Sequence, residues 1–348
     1  MKMGIIGYGG MAHWHKDIIN RIEGLKIAGI WDISEKARSI AQEEGLLVYK
    51  SLEDMLSDKE LTFVLIATDN DVHASLAIKA MEHGKHVVCE KPITLSSALL
   101  DEMIAVSEKT SRLLTVHQNR RWDNDFLTAK RIIENNELGE VFKFESRVHG
   151  SRGISDTWRR KKEKGGGVIY DWGIHLFDQL LQIKKGVSIK SVYATSQNIT
   201  TEFVEDGFTA HILFHDGTKV LIQVETSDFI GSPRWRIFGN NGTAEIYTWD
   251  GKGTIIKACG TEDNIVPLIT ASGYTKTMAP RTDDTITKYD IIPEPGDIKE
   301  FYKNVMSTIL EQEESVISFK EIRNAVRLLE SVFKSIEQNQ AVDCALIL

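Results

Sequence analysis

The 348-residue chain has little cysteine, no long apolar run and no excess of positive charge. Cys89, Cys259 and Cys344 are odd in number and far apart. They offer neither a disulfide framework nor metal-like spacing, which suits a reducing compartment. No stretch approaches the roughly 18 consecutive apolar residues of a membrane span. A net charge of −8 and a pI near 5.8 argue against wholesale nucleic-acid binding. Anionic ligands stay open, because backbone N–H groups can bind phosphate. The N-terminus enters a strand-like pattern directly, with no signal peptide. There is no internal repeat and no low-complexity tract. These absences point to a cytoplasmic protein whose partners are neither nucleic acid nor membrane. What is present, 42% hydrophobic and 26% charged residues, is the composition of a soluble globular protein, and the length suggests two domains.

The first third alternates strands and helices. A short apolar run, Met3 to Ile6, leads into Gly7-Tyr8-Gly9-Gly10-Met11-Ala12 and then a helical pattern. This is G-x-G-x-x-A between a strand and a helix, the context that gives the motif meaning. Gly7 permits the tight turn, Gly9 the approach of a pyrophosphate, and Ala12 close packing of helix on strand. Lys26–Trp31 reads as the next strand and ends at Asp32, twenty residues after Ala12. An acidic side chain there accepts hydrogen bonds from ribose hydroxyls and repels a 2′-phosphate. Ile33 follows, not arginine, which favours NAD over NADP; Lys36 argues the other way. Asp32 can also be read as a helix N-cap. Further strands are expected at Val48–Tyr49, Thr62–Ala67, His86–Cys89 and Leu113–Val116, six in all. Asn70 and Lys91 follow two of them, at the carboxyl ends where open α/β sheets bind ligands.

Strands dominate after residue 120. Asp216-Gly217 and Gly239–Gly242 mark two hairpins, which imply an antiparallel sheet with a free face. Gly260–Pro295 reads as a polar excursion with little regular structure, and Asp297–Leu310 and Ser318–Ile336 as amphipathic helices. Between these lies Gly165-Gly166-Gly167, then Asp171 and His175 four residues apart. On a helix these two share a face. Spacing alone leaves two readings: a proton-transfer pair, or a helix start with Asp171 near the positive dipole end and His175 a core histidine. His13-x-His15 and His211-x-x-x-His215 lack partners at zinc-like spacing, so no metal is expected.

The sequence resembles the Gfo/Idh/MocA oxidoreductases. The resemblance rests on Gly7-x-Gly9-x-x-Ala12, Asp32, Thr68…Asn70…His73, Glu90-Lys91-Pro92, Gln118 to Asp123, and Gly165-Gly166-Gly167…Asp171-x-x-x-His175. Two positions depart from the family pattern. Asp69 stands where proline is usual, and His117 where the residue is more variable and often apolar. The resemblance implies an N-terminal Rossmann dinucleotide-binding domain, residues 1–120. An α+β domain with a large open, mostly antiparallel sheet follows at 121–348, whose terminal helices can pack back on the first domain. It implies that Lys91, Asp171 and His175 converge beside the nicotinamide, and that the sheet face makes homodimers or homotetramers. Gly7, Gly9, Gly10, Met11, Ala12, Asp32, Thr68, Asn70, His73, Glu90, Lys91 and Gln118 form the expected cofactor-binding set.

Residue chemistry is compatible with these roles. His175 is the best general base, Lys91 can hold a hydroxyl and stabilise negative charge on oxygen, and Asp171 can bind substrate or orient the base. Lys91 can also cover a phosphate or be a solvated lysine. Arg121, Asp123, Arg147, His149, Trp158 and Arg159 are substrate candidates from strand ends and the loop before the glycine run. Arg159 to Lys162 can equally be a solvated basic loop. The expected function is an NAD-dependent dehydrogenase acting on a secondary hydroxyl of a sugar, inositol or related polyol. The alternatives are an NAD-dependent glycoside-processing enzyme, which couples transient hydride transfer to elimination, and a non-catalytic dinucleotide or sugar sensor.

Overall fold

The structure is a computed structural model that describes residues 1–260 and 265–344. The first unit runs β1 (Lys2–Ile6), α1 (Gly10–Ile19), β2 (Lys26–Trp31), α2 (Glu35–Glu43), α3 (Leu52–Ser57), β3 (Phe63–Ile66), α4 (His73–Glu82), β4 (His86–Cys89), α5 (Ser97–Thr110) and β5 (Leu114–Val116). Its five strands are parallel, in the order β2-β1-β3-β4-β5. All four residues of β3 are buried, as a strand covered on both faces requires. The strand expected at Val48–Tyr49 is a single bridge, Ile30 to Val48, and not a sixth strand. Tyr49 N–H closes it on Ile30, and the chain then turns at once into α3, where Ser51 caps Asp54 N–H at 3.0 Å. β1 lies between β2 and β3, so the direction of strand addition switches at its carboxyl end and a crevice opens there.

The second unit continues with α6 (Asn124–Glu134), β6 (Val141–His149), α7 (Ile174–Ile183), β7 (Ile189–Gln197), β8 (Gly207–Phe214), β9 (Lys219–Glu225), β10 (Trp235–Gly239), β11 (Gly242–Ile246) and β12 (Gly253–Ala258). A small hairpin, β13 (Leu268–Thr270) and β14 (Gly273–Thr275), precedes β15 (Ile286–Asp290), α8 (Lys299–Ile309), α9 (Phe319–Gln338) and β16 (Val342–Asp343). Nine strands form one sheet in the order β15-β12-β11-β10-β6-β9-β8-β7-β16. Only β6 and β9 pair in parallel. Both expected hairpins form, β8 with β9 and β10 with β11. The polar excursion is more ordered than its composition suggests, because β15 pairs with β12 along five residues. Residues 261–264 of that excursion lie outside the described residues.

Two cores result. One face of the nine-stranded sheet is buried under α6, α7 and α9 through Phe144, Phe177, Leu180, Ile222 and Leu328. The other core fills the parallel sheet and takes in Phe301, Tyr302 and Val305 of α8. Helix α9 serves both. Ile322 and Val326 sit in the core of the parallel sheet, and Leu328, Leu329 and Val332 in that of the nine-stranded sheet. A capping box of Ser318 and Glu321 starts that helix.

Candidate active site

The crevice beyond β1 has the features of a dinucleotide cradle. Gly7 sits at φ +89°, and a Cβ there would lie 2.6 Å from the Ala67 carbonyl, so only glycine fits the turn. In front of Gly9 and Gly10 the space is open. Helix α1 starts at Gly10 with no side-chain cap, so its first N–H groups face that space. Asp32 stands at the end of β2. Its Oδ2 accepts from Tyr8 N–H at 2.6 Å and its Oδ1 from Ser34 N–H at 2.6 Å. Arg38, not singled out in the sequence, folds back to donate to the Asp32 carbonyl at 2.7 Å. Thr68 is half-buried at the end of β3. Met11 and Ala12 lie in the first turn of α1. The buried Oε1 of Gln118 and Oδ1 of Asn119 lack any protein partner. Open glycines, free helix N–H groups and orphaned polar atoms together fit a bound dinucleotide.

At the end of β4, Lys91 Nζ donates to Asp171 Oδ1 and to the Asp171 carbonyl, both at 2.8 Å. Arg159 Nε donates to the other carboxylate oxygen at 3.1 Å. The glycine run makes this meeting possible. A Cβ on Gly166 would lie 2.4 Å from the Arg159 carbonyl, and Gly167 N–H bonds that same carbonyl at 3.0 Å. The loop thus folds directly onto the glycines, with the Arg159 guanidinium stacked on Trp158 at 4.7 Å. Asn70 Nδ2 donates to Gly165 O at 3.0 Å and ties the run to the first unit.

The segment after the glycines is not one α-helix. Ile169–Gly173 is a π turn and α7 begins at Ile174, so Asp171 and His175 are not simply stacked one α-turn apart. Lys91 is the common neighbour of both. Burial raises the Asp171 carboxyl, but Lys91 and Arg159 outweigh it and hold the group well below the usual carboxylate range. Burial, then Lys91 and Arg120, push His175 well below its ordinary value, against Asp171 and Glu90. His175 is therefore a neutral imidazole at neutral pH. Its buried Nδ1 has no protein partner.

One wall of this region was not evident from the sequence. The Arg120 guanidinium stacks on Trp172 at 5.0 Å and on Trp249 at 4.9 Å, and the two indoles lie 5.7 Å apart. Trp172 meets the His175 ring at 6.1 Å. Asp123, raised by burial, pairs with Arg120 at 3.0 Å and so borders the wall.

Other expected site residues go elsewhere. Arg121 is buried and bidentate to Asp178 at 2.6 and 2.8 Å, with Glu321 beside it, so it fastens α7 to α9. Arg147 lies on the sheet face opposite the core, since Phe144 and Val148 of the same strand point inward. There it meets Glu145 and Gln223. His149, on the same face, pairs with Asp228 at 2.8 Å. His73 is fully buried between Pro92 O and Thr68 O. Glu90 turns inward, where its Oε1 accepts from His15 and His117. His15, isolated in the sequence, thus gains partners in space. Among the described residues these three are the one His/Cys/Asp/Glu group whose ligating atoms lie within 4.8 Å of each other.

A parallel nucleotide-binding sheet with Lys, Asp and His at its ligand edge defines a dinucleotide-dependent oxidoreductase. Comparison with known proteins agrees. The profile of the oxidoreductase family with an NAD-binding Rossmann fold, GFO/IDH/MocA, matches residues 1–118, and the GFO/IDH/MocA C-terminal domain matches 126–245. The chain belongs to this family. An oxidoreductase of Schizosaccharomyces pombe is 31% identical over 334 residues, covering 88% of this chain and 87% of its own. The scyllo-inositol 2-dehydrogenase (NADP(+)) IolW of Bacillus subtilis is 26% identical, covering 98% of this chain and 95% of its own. Among solved structures, an NAD-binding protein from Listeria innocua superposes with a TM-score of 0.95 at 38% identity, over 98% of this chain and 99% of its own. No helix among the described residues is long and apolar enough to cross a membrane.

Proposed function

We propose that the protein is an NAD-dependent dehydrogenase that oxidises a secondary hydroxyl of a sugar, inositol or related polyol. The observation that carries this reading is Lys91 held on Asp171 at the carboxyl end of β4, beside a neutral His175 with a free buried nitrogen. Lys91 donates to the substrate hydroxyl and stabilises charge developing on its oxygen. His175 takes the hydroxyl proton. Asp171 keeps the ammonium in place and is itself ionised throughout the neutral range. When bound, the nicotinamide supplies the acceptor for the hydride that leaves the substrate carbon. The indoles of Trp172 and Trp249, pinned by Arg120, offer flat faces to a ring that carries hydroxyls.

The cofactor set is Gly7, Gly9, Gly10, Met11, Ala12, Asp32, Thr68, Asn70 and Gln118. The Asp32 carboxylate favours NAD. Arg38 and the NADP(+) in the name of the Bacillus subtilis relative are the counterweights. A division into residues 1–120 and 121–348 is supported by the two large sheets, with α8 of the second part packing back on the first. The open sheet face, with Tyr193, Leu221, Phe238 and Ile256, suits a homodimer or homotetramer. A cytoplasmic location agrees with three cysteines that no disulfide joins among the described residues.

The test is a panel of inositols, aldoses and glycosides offered with NAD and with NADP. One free polyol should yield stoichiometric NADH. Glycoside cleavage without NADH accumulation, or no turnover of any member, would overturn the reading.

A further inference from the structure

Glu90 ends β4 next to Lys91, yet its side chain points into the molecule and is only 5% exposed. Its Oε1 accepts from His15 Nε2 at 2.7 Å and from His117 Nδ1 at 2.8 Å. Its Oε2 accepts from the main-chain N–H of Lys91 at 3.1 Å. Behind His15, the Tyr302 hydroxyl lies 2.5 Å from Nδ1. The donors come from three places: α1, the segment after β5, and α8. All four side chains are buried, where a carboxylate persists only if donors surround it.

The proton assignment closes. Burial and the neighbouring His117 push His15 down to about 4, so its ring is neutral at neutral pH. A neutral imidazole accepts at one nitrogen and donates at the other. Tyr302 O–H therefore donates to Nδ1, and Nε2–H donates to Glu90. Burial would raise the Glu90 carboxyl, but His117 and His15 outweigh it and hold it well below its ordinary range. Ring contacts limit rotation: His15 to His117 at 4.4 Å, and His117 to Phe301 at 5.0 Å.

We propose that His15, His117 and Tyr302 are positioning residues. They clamp the Glu90 carboxylate, which in turn fixes the Lys91 backbone and so delivers the Lys91 ammonium to Asp171. One Glu90 oxygen is held by two imidazoles from different elements, which leaves the other aimed at a single N–H. Lys91 is thereby anchored at both ends, its amide on Glu90 and its Nζ on Asp171. A bound metal ion is the competing use of this triad. Direct contacts of 2.7 and 2.8 Å from His15 Nε2 and His117 Nδ1 to one Glu90 oxygen are hydrogen-bond distances and favour the clamp. The effect on turnover rests on the catalytic role proposed for Lys91; the effect on its backbone does not.

The test uses the full-length protein and three variants. His117→Leu removes the Nδ1 donor, His117→Asn keeps an N–H donor near the same place, and Tyr302→Phe removes only a hydroxyl. Amide hydrogen exchange at Lys91, followed by NMR without ligand, should speed about tenfold in His117→Leu, the loss of one hydrogen bond's protection. It should return towards wild type in His117→Asn. Tyr302→Phe should show a smaller change of the same sign, and it carries the test if His117→Leu does not fold. In turnover, His117→Leu should lower kcat by up to roughly 100-fold while KM for NAD stays constant. Unchanged exchange at Lys91 in His117→Leu would overturn the proposal. So would equal loss in His117→Leu and His117→Asn, or stoichiometric metal in the purified protein by elemental analysis. If no polyol is oxidised, the dehydrogenase reading fails and the exchange result still decides this one.

Discussion

Lys91 donates twice to one residue: its Nζ reaches both the carboxylate and the main-chain carbonyl of Asp171 at 2.8 Å. The first contact carries charge, and the second fixes the ammonium against the π turn that supplies Asp171. The Lys91 side chain is thus attached to both the side chain and the backbone of Asp171 in the second unit.

Lys91→Met removes the cation with little change in side-chain volume. Removing a donor that acts on a developing oxyanion costs on the order of 100- to 1000-fold in kcat. The variant is expected to fold normally and lose at least about 100-fold in kcat, measured by NADH formation. Full activity in Lys91→Met would sink its catalytic assignment.

As the proposed general base, His175 should set the acid limb of the pH–rate profile. Burial, Lys91 and Arg120 disfavour its protonated form, so kcat/KM should stay level from neutral pH down past the ordinary histidine range. Arg120→Gln removes one of the two cations. The imidazolium then becomes easier to form, and the acid limb should move to higher pH. A limb that stays in place or moves down would show that another group titrates.

Two glycines of one motif should fail differently. Gly7→Ala forces a Cβ against the Ala67 carbonyl at a positive φ, with an expected loss of about 1–3 kcal/mol in unfolding free energy. Gly9→Ala meets no atom within 4 Å, so stability should change by less than about 0.5 kcal/mol. Its NADH affinity should still fall about tenfold or more, because the methyl takes the room left for the pyrophosphate. Thermal melts and NADH fluorescence titration separate the two effects.

Arg121 belongs to stability. Asp178→Ala leaves its guanidinium buried with only Glu321 and the Val316 carbonyl as partners, and breaking such a pair costs about 3–5 kcal/mol. Denaturant unfolding should register that loss while KM for substrate stays near wild type. A selective rise in KM with unchanged stability would restore Arg121 to the substrate site.

The parts of the site legible in the sequence were those written in one contiguous stretch. Gly7, Gly9 and Asp32 carry their meaning through a strand, a turn and a helix that follow each other directly. Lys91 did so through its place at a strand end. Arg120 and Arg121 show the opposite. They are adjacent in a single 3-10 turn, Asn119–Trp122, and one enters the core while the other faces the indoles. Composition cannot say which. The side on which Arg147 lies was not legible, because alternation along β6 names two faces without saying which one helices cover. Trp249 lies in a loop after β11 with no motif around it, and β15 is too exposed and polar to read as a strand. The clamp on Glu90 is the extreme case, since its outer hydrogen bond joins positions 287 apart in the chain.

Helix α8 adds an ordering in time. The parallel sheet is synthesised first, yet Phe301, Tyr302 and Val305 complete its core, and Tyr302 is also the donor behind His15. A nascent chain that has just released β5 therefore holds a nucleotide-binding sheet with part of its interior open to water. Domains usually fold as they emerge, N-terminal one first. Here the first-made unit must wait for nearly the whole polypeptide before it can close. A fragment ending at residue 120 inherits that open interior permanently.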